Sequence, residues 1–335
     1  MSDVTGEVSE PVLEPDLPII DAHHHLWAHT GHRYLIEEYA ADTLSGHNIL
    51  ASVYVECGAM LRPSGPPALR VVGEAEFAGG MAAMSESGLY GPTRICAGIV
   101  GGAELVLGDA VEPVLEALAA ASGGRLRGIR NAANWDADPA VNTGTRPSAP
   151  EGLLRDARFR AGFSRLARHG LLYDALVYHP QLLDVCDLAD AFPNTTIIVN
   201  HCGGLLGLQG YARQETYSQW RSLVGEVARR PNMLMKLGGL SARRCGFGFD
   251  QRPVPATAAE LATTWMPYIA ACIELFGTQR CMFESNFPPD RVSGSYRRLW
   301  NAFKMITQGC SAAEKAALYC DTAQSVYRIA AQAAE

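Results

Sequence analysis

The stretch Pro18-Ile19-Ile20-Asp21-Ala22-His23-His24-His25-Leu26 runs from apolar, β-branched residues into a dense polar cluster. That is the make-up of a buried strand ending at a chemical site. Seven further runs resemble its apolar half: Ile49 to Glu56, Ile95 to Val100, Leu126 to Asn131, Leu171 to Tyr178, Thr195 to His201, Met233 to Leu237 and Cys281 to Phe287. Between them lie segments whose apolar residues return every three or four positions, such as Ala110 to Ala121 and Gln214 to Arg229. Strands alternating with helices imply a parallel sheet, and eight strands imply closure into an α/β fold of the (β/α)8 TIM-barrel kind. Ser295 to Thr307 and Ala312 to Tyr319 follow the eighth strand and are expected to complete the outer ring of helices.

The 335 residues are 48% hydrophobic and 19% charged, enough apolar material for one large core. A single barrel domain over residues 17–335 is expected, preceded by a flexible, solvated arm over 1–16 that carries Asp3, Glu7, Glu10 and Glu14. A net charge of −7 argues against sequence-independent nucleic-acid binding, which needs clustered Lys and Arg. Gly, Arg, Asp or Glu interrupts every apolar run before it reaches the ~18 residues of a membrane span. The amino terminus lacks the basic and apolar segments of a signal peptide, so a cytoplasmic location is expected. Nine cysteines without a CxxC pair are expected to be reduced, mostly buried thiols.

Alternate side chains of a strand share a face, so Asp21, His23 and His25 are expected to project together and His24 to point away. Two imidazoles two residues apart can bind one divalent metal or transfer protons to a carbonyl substrate. His201 and His179 end the sixth and fifth runs, on the face where barrel enzymes hold their sites. The fourth run, Arg125-Leu126-Arg127-Gly128-Ile129-Arg130, buries arginine: Arg130 is placed to contact a substrate carboxylate or carbonyl, and Arg127 to brace the site. Lys236 invites the same two readings. Glu56, at the end of the second run, is a metal ligand, a proton carrier or a partner of Arg or His. Glu284 and Asn286 share a face of the eighth run. Three long loops follow strand ends, Cys57 to Pro67, Ala132 to Pro150 and Ser241 to Pro255, and are expected to act as lids. Arg62, Arg146, Arg243, Arg244 and Arg252 on them suit an anionic ligand, and Trp27, Tyr54, Trp135, Tyr178, Phe247 and Phe249 suit its apolar part.

Asp-Ala-His-His-His-Leu-Trp at 21–27, Arg-Gly-Ile-Arg at 127–130, Asn-His-Cys-Gly at 200–203, Lys-Leu-Gly-Gly at 236–239 and Glu-Ser-Asn-Phe-Pro at 284–288 occur in this order. The combination resembles the amidohydrolase superfamily, in particular the branch with the sugar-lactone hydrolases and 2-pyrone-4,6-dicarboxylate lactonase. The resemblance implies a distorted barrel with His23, His25 and His201 in the site, Arg130 near the substrate, and either one divalent ion, zinc or manganese, on the three histidines or metal-free catalysis. Relatives usually carry an aspartate on strand eight. Here stands Asn286, which accepts no proton at neutral pH. The reaction expected is hydrolysis of a lactone or related cyclic ester of an anionic, aromatic or otherwise cyclic small molecule. His23, His25, His201, Glu284 and Asn286 form the catalytic set. Arg130, Arg127, His179, Glu56, Lys236 and Tyr178 face the substrate, and the base is Glu284, Asp290, Glu56 or a histidine. The alternatives are a metal-dependent decarboxylase or C–C hydrolase of an aromatic acid, and a non-catalytic binding protein built on the barrel. A homo-oligomer is compatible with the sequence.

Overall fold

The computed structural model describes residues 10–29, 31–144 and 146–330. The eight runs form β1 (Pro18–His24), β2 (Asn48–Val55), β3 (Arg94–Gly102), β4 (Leu126–Arg130), β5 (Leu172–Ala175), β6 (Ile197–Val199), β7 (Met233–Leu237) and β8 (Cys281–Phe283). They pair in chain order, every pair parallel. One helix follows each strand: α1 (Ile36–Thr43), α2 (Val72–Glu86), α3 (Glu112–Ala121), α4 (Ala157–Leu166), α5 (Leu182–Ala191), α6 (Glu215–Ala228), α7 (Ala258–Phe276) and α8 (Tyr296–Ile306). The expected (β/α)8 barrel is therefore present. Its seam between β8 and β1 is laced above the ladder: the His25 N–H donates to the Phe287 carbonyl at 2.8 Å, and the Asn286 N–H to the His23 carbonyl at 2.9 Å. The distortion thus falls at the mouth.

Strands buried on both faces need no polar alternation, which is why the runs read as continuously apolar. Ile20, Val53, Val100, Leu172, Ile198 and Met282 fill the barrel, and Tyr327 and Ile329 close its floor. A second core lies between strands and helices, with Trp220, Trp265 and Trp300 fully buried. β5, β6 and β8 stop earlier than their apolar runs. At His201 and Asn286 the backbone turns left-handed (φ 57° and 50°), so the ladder ends while the side chains still point into the mouth. The segment after α8 is a regular helix over Ala312–Ala316, widens over Ala317–Asp321, where the Tyr319 ring packs 4.6 Å from that of Phe283, and returns to regular helix over Thr322–Val326.

Residues 1–9 of the expected solvated arm lie outside the described residues. Its remainder is pinned to α8: Glu10 pairs with Arg298 at 3.0 Å, and Lys304 Nζ donates to the carbonyls of Leu13 and Glu14 at 2.9 and 2.8 Å. The nine cysteines are free, seven of them buried. No helix among the described residues is long and apolar enough to cross a membrane.

Candidate active site

The end of β1 departs from simple alternation. Asp21 pairs with Ser52 and His24 with Tyr54, so three steps along β1 match two along β2. The extra residue inverts the faces. Asp21 points outward, where Tyr39 and Tyr296 hydroxyls donate to Oδ2 at 2.8 and 3.0 Å and the Ser285 N–H to Oδ1 at 2.8 Å. The expectation that Asp21 shares a face with His23 and His25 is corrected by this bulge: Asp21 ties β1 to β8 and the helices. His24 also lies outside, its ring stacked 4.1 Å from that of Tyr39 and Nδ1 donating to the Val53 carbonyl at 2.9 Å. Burial lowers its pKa to about 3.

His23 and His25 turn inward, with their Nε2 atoms 3.2 Å apart. His25 Nδ1 lies 2.7 Å from the Val55 carbonyl. A carbonyl only accepts, so this nitrogen carries the proton and Nε2 a bare lone pair. Glu284 joins the other two imidazoles. Its Oε1 accepts from the His201 N–H at 3.0 Å and from His201 Nδ1 at 2.7 Å, and its Oε2 lies 2.8 Å from His23 Nδ1. That last approach is off the direction of a hydrogen bond, which leaves Oε2 buried without a donor. An unsatisfied buried carboxylate oxygen is costly. One ligand atom each from His23, His201 and Glu284 fall within 4.8 Å of one another, a donor set suited to a divalent cation. Burial first, and then neighbouring positive charges, hold all three histidines well below the usual range, so they are neutral, the form that ligates. Burial pushes Glu284 up to about 7, against the charge of Lys236.

Two arginines meet on Glu56. Arg130 Nε donates to its Oε1 at 2.7 Å, while Arg146 donates to both oxygens at 2.9 and 2.8 Å. Arg130 also donates to the Glu56 carbonyl, and its Nη1 lies 3.3 Å from His23 Nε2. Burial raises the Glu56 carboxyl, but the two guanidinium groups outweigh it and hold the pKa at about 2. Glu56 is thus a poor base and a strong clamp. Below His23, Lys236 Nζ pairs with Asp174 at 3.2 Å, and Asn200 and Tyr327 donate to the same carboxylate at 2.9 and 3.2 Å. The Gly238-Gly239 pair lets β7 come this close: a Cβ at Gly239, where φ is +65°, would stand 2.3 Å from His201 Nδ1.

A cavity of about 520 Å³ opens above this network. His25, His201, Asn286, Arg130 and Tyr178 border it, as do Trp27, Asn134, Asn142, Arg146 and Arg244. His23, Glu284 and Glu56 stand behind that lining, fully or nearly buried. Three expected substrate contacts fall elsewhere. Arg127, three residues before Arg130, sits about 10 Å lower on the strand, its guanidinium donating to the Gly124 and Leu126 carbonyls at the barrel's opposite end. His179 Nδ1 accepts the Leu206 N–H at 3.2 Å, with the ring against Tyr211. Lys236 is sealed beneath His23 by its ion pair. Among the loop arginines, Arg62, Arg243 and Arg252 turn to Glu76, Asp250 and Glu260. Tyr54 donates to Glu74, while Phe247 and Phe249 pack on Tyr268 and Trp265. Trp135 does not border the cavity among the described residues. Sequence reasoning missed Asp174, although an acid inside Leu171-Leu172-Tyr173-Asp174-Ala175 signals a buried cation partner.

The family described as Amidohydrolase matches residues 20–329. The chain is 31% identical to the uncharacterized protein y4mH of Sinorhizobium fredii, over 94% of this chain and 99% of that one. It is 27% identical to an L-fucono-1,5-lactonase of Burkholderia multivorans, over 62% of this chain and 64% of the relative. The fold is shared with an amidohydrolase of Burkholderia multivorans solved with bound zinc, at a TM-score of 0.71 and 23% identity, over 93% of this chain and 99% of that one.

Proposed function

This chain belongs to the amidohydrolase family, and from that premise we propose that it hydrolyses the ring ester of a small anionic lactone. The observation that carries the reading is the pairing, in one cavity, of an oriented neutral imidazole with surplus positive charge. The Val55 carbonyl holds the proton of His25 on Nδ1, which leaves Nε2 as a bare acceptor toward the cavity. Of the three guanidinium groups at the cavity wall, Arg130 and Arg146 share one carboxylate, Glu56. Arg244 forms no ion pair among the described residues, and its Nη2 is buried without a partner. An anion on the ligand would satisfy it.

The likeness to an L-fucono-1,5-lactonase supports the ester, and the arginines support the charge. His23, His201 and Glu284 would hold a divalent cation, zinc or manganese, with His25 Nε2 beside them. Such an ion supplies charge that polarises a carbonyl and acidifies water. The chain's own groups account for the rest. Water attacks the ring carbonyl carbon and passes its proton to His25 Nε2, the cavity-facing lone pair outside the cation-holding set. Arg130 Nη1, aimed into the same space, stabilises the developing oxyanion. The ring C–O bond then breaks, and the leaving oxygen takes the proton back, giving a hydroxy acid.

Incubating the protein with carboxylated and neutral lactones in H218O tests the reading. One labelled oxygen in the hydroxy-acid product is expected, whereas release of CO2 without label would replace hydrolysis by decarboxylation. Arg244→Met is expected to raise KM for the carboxylated lactone roughly 10- to 100-fold with kcat little changed. An equal effect on the neutral lactone would remove Arg244 from anion recognition.

A further inference from the structure

The left-handed turn at Asn286 places its side chain at the cavity wall, and the carboxyl that contacts it stands four residues later. Asn286 Nδ2 donates to Asp290 Oδ1 at 2.8 Å, and the Asp290 N–H donates to the Asn286 carbonyl at 3.1 Å, which locks the two residues into one turn. The second oxygen of Asp290 faces the Ser241 N–H at 3.4 Å, on the loop after β7. Asp290 itself is fully buried and does not border the cavity, whereas Asn286 does. An ionised carboxylate only accepts, so it fixes which end of the amide it receives. No described residue donates to Asn286 Oδ1.

We propose that Asp290 is the positioning residue of this site: by taking the Asn286 amide N–H it turns the Asn286 carbonyl oxygen into the cavity, where that oxygen accepts a hydrogen bond from the attacking water. The inference rests on the hydrolytic reading above. It explains how a chain with Asn286 at the end of strand eight still presents an acceptor there: the carboxylate is moved one turn along and acts through the amide. Its polarity is reversible. A protonated Asp290 would donate to the Asn286 oxygen, and the flipped amide would then offer N–H to the cavity, which cannot orient water for attack. Asp290 titrates among Arg244 and Cys245 on the loop after β7 and Glu284 on the extension of β8. Burial, opposed by the Asn286 hydrogen bond and the charge of Arg244, brings it up to about 7.

Two measurements separate this proposal from the substrate assignment. The first needs no substrate: the 13C-carboxyl titration of Asp290 is expected to move upward in Asn286→Leu, which removes the donor. An unchanged midpoint overturns the contact whatever the chain hydrolyses. The second uses turnover. Asp290→Asn is expected to lower kcat about 10- to 100-fold with little change in KM, and to make the rise of the pH–kcat profile through about 7 shallower, since Glu284 alone then titrates there. The exchanged double variant Asn286→Asp with Asp290→Asn restores an acceptor at 286 and a donor at 290. It is expected to recover most of the lost kcat, and it replaces the single variant if that one fails to fold. Wild-type kcat and pH profile in folded Asp290→Asn, or a folded double variant no more active than Asp290→Asn, overturns the proposal. A wild-type protein that turns over no lactone overturns the substrate reading alone.

Discussion

Glu284→Gln is expected to lower kcat about a thousandfold and to leave the fold standing. Three groups depend on this one side chain: the His201 N–H, the His201 imidazole and the His23 ring 2.8 Å away. An amide has one oxygen: it either keeps that oxygen on His201 and turns its N–H donors toward the His23 ring, or flips and presents them to His201 Nδ1. His201 can then adopt the wrong tautomer, and the cluster of His23, His201 and Glu284 loses the charge a divalent cation needs. Elemental analysis of the purified protein is expected to find about one zinc or manganese per chain, in line with one closed donor set, and little in the variant. The fold survives for a reason of sign. Burial raises the Glu284 carboxyl to about 7 from its ordinary 4.5, so ionisation opposes folding as pH rises between those values. A neutral side chain removes that penalty, and with both proteins stripped of metal the thermal midpoint at pH 8 should be equal or higher in the variant. Activity within threefold of wild type would remove Glu284 from the mechanism.

Glu56→Gln is expected to act on stability as well as activity. Arg130 is almost completely buried, and Glu56 is the carboxylate that compensates it and Arg146. Removing one partner of such a cluster leaves buried positive charge, at a cost of about 3 kcal/mol in a denaturant titration. The pH dependence follows from the same pair. The folded value near 2 lies below the ordinary 4.5. The clamp therefore contributes fully above about 4.5 and is lost as pH falls toward 2, again about 3 kcal/mol. Wild type should lose stability steeply across that window, and Glu56→Gln should lose much less. Parallel acid denaturation of the two proteins would show that the guanidinium groups do not hold Glu56 ionised. Because Arg130 also faces His23 Nε2, its release should reduce kcat together with stability.

Much of this was legible beforehand, in specific places. Eight apolar runs became eight strands because burial on both faces of a parallel sheet imposes local composition, and local composition is what a sequence displays. His25, His201, Asn286, Arg130 and Tyr178 reach the cavity because each ends a strand at the mouth or lies just beyond it. Arg127, His179 and Lys236 carried comparable polarity in comparable runs, but Arg127 lies at the opposite end of the barrel and turns back on its own chain neighbours, while His179 and Lys236 meet partners no local reading supplies: the Leu206 N–H and Asp174.

The opening stretch divides the two kinds of knowledge. Its residues determined that β1 ends in imidazoles at the barrel mouth, since a run from Ile19 to Leu26 is buried and its polar end must meet partners. Which side chains face inward was decided by pairing with β2, where one extra residue on β1 reverses the alternation and sends Asp21 outward. Glu284 on His201, Glu56 between two arginines and Lys236 on Asp174 belong to the same class. Each is a contact between different strands or between a strand and a distant loop, and its existence depends on register and closure, which no single segment carries.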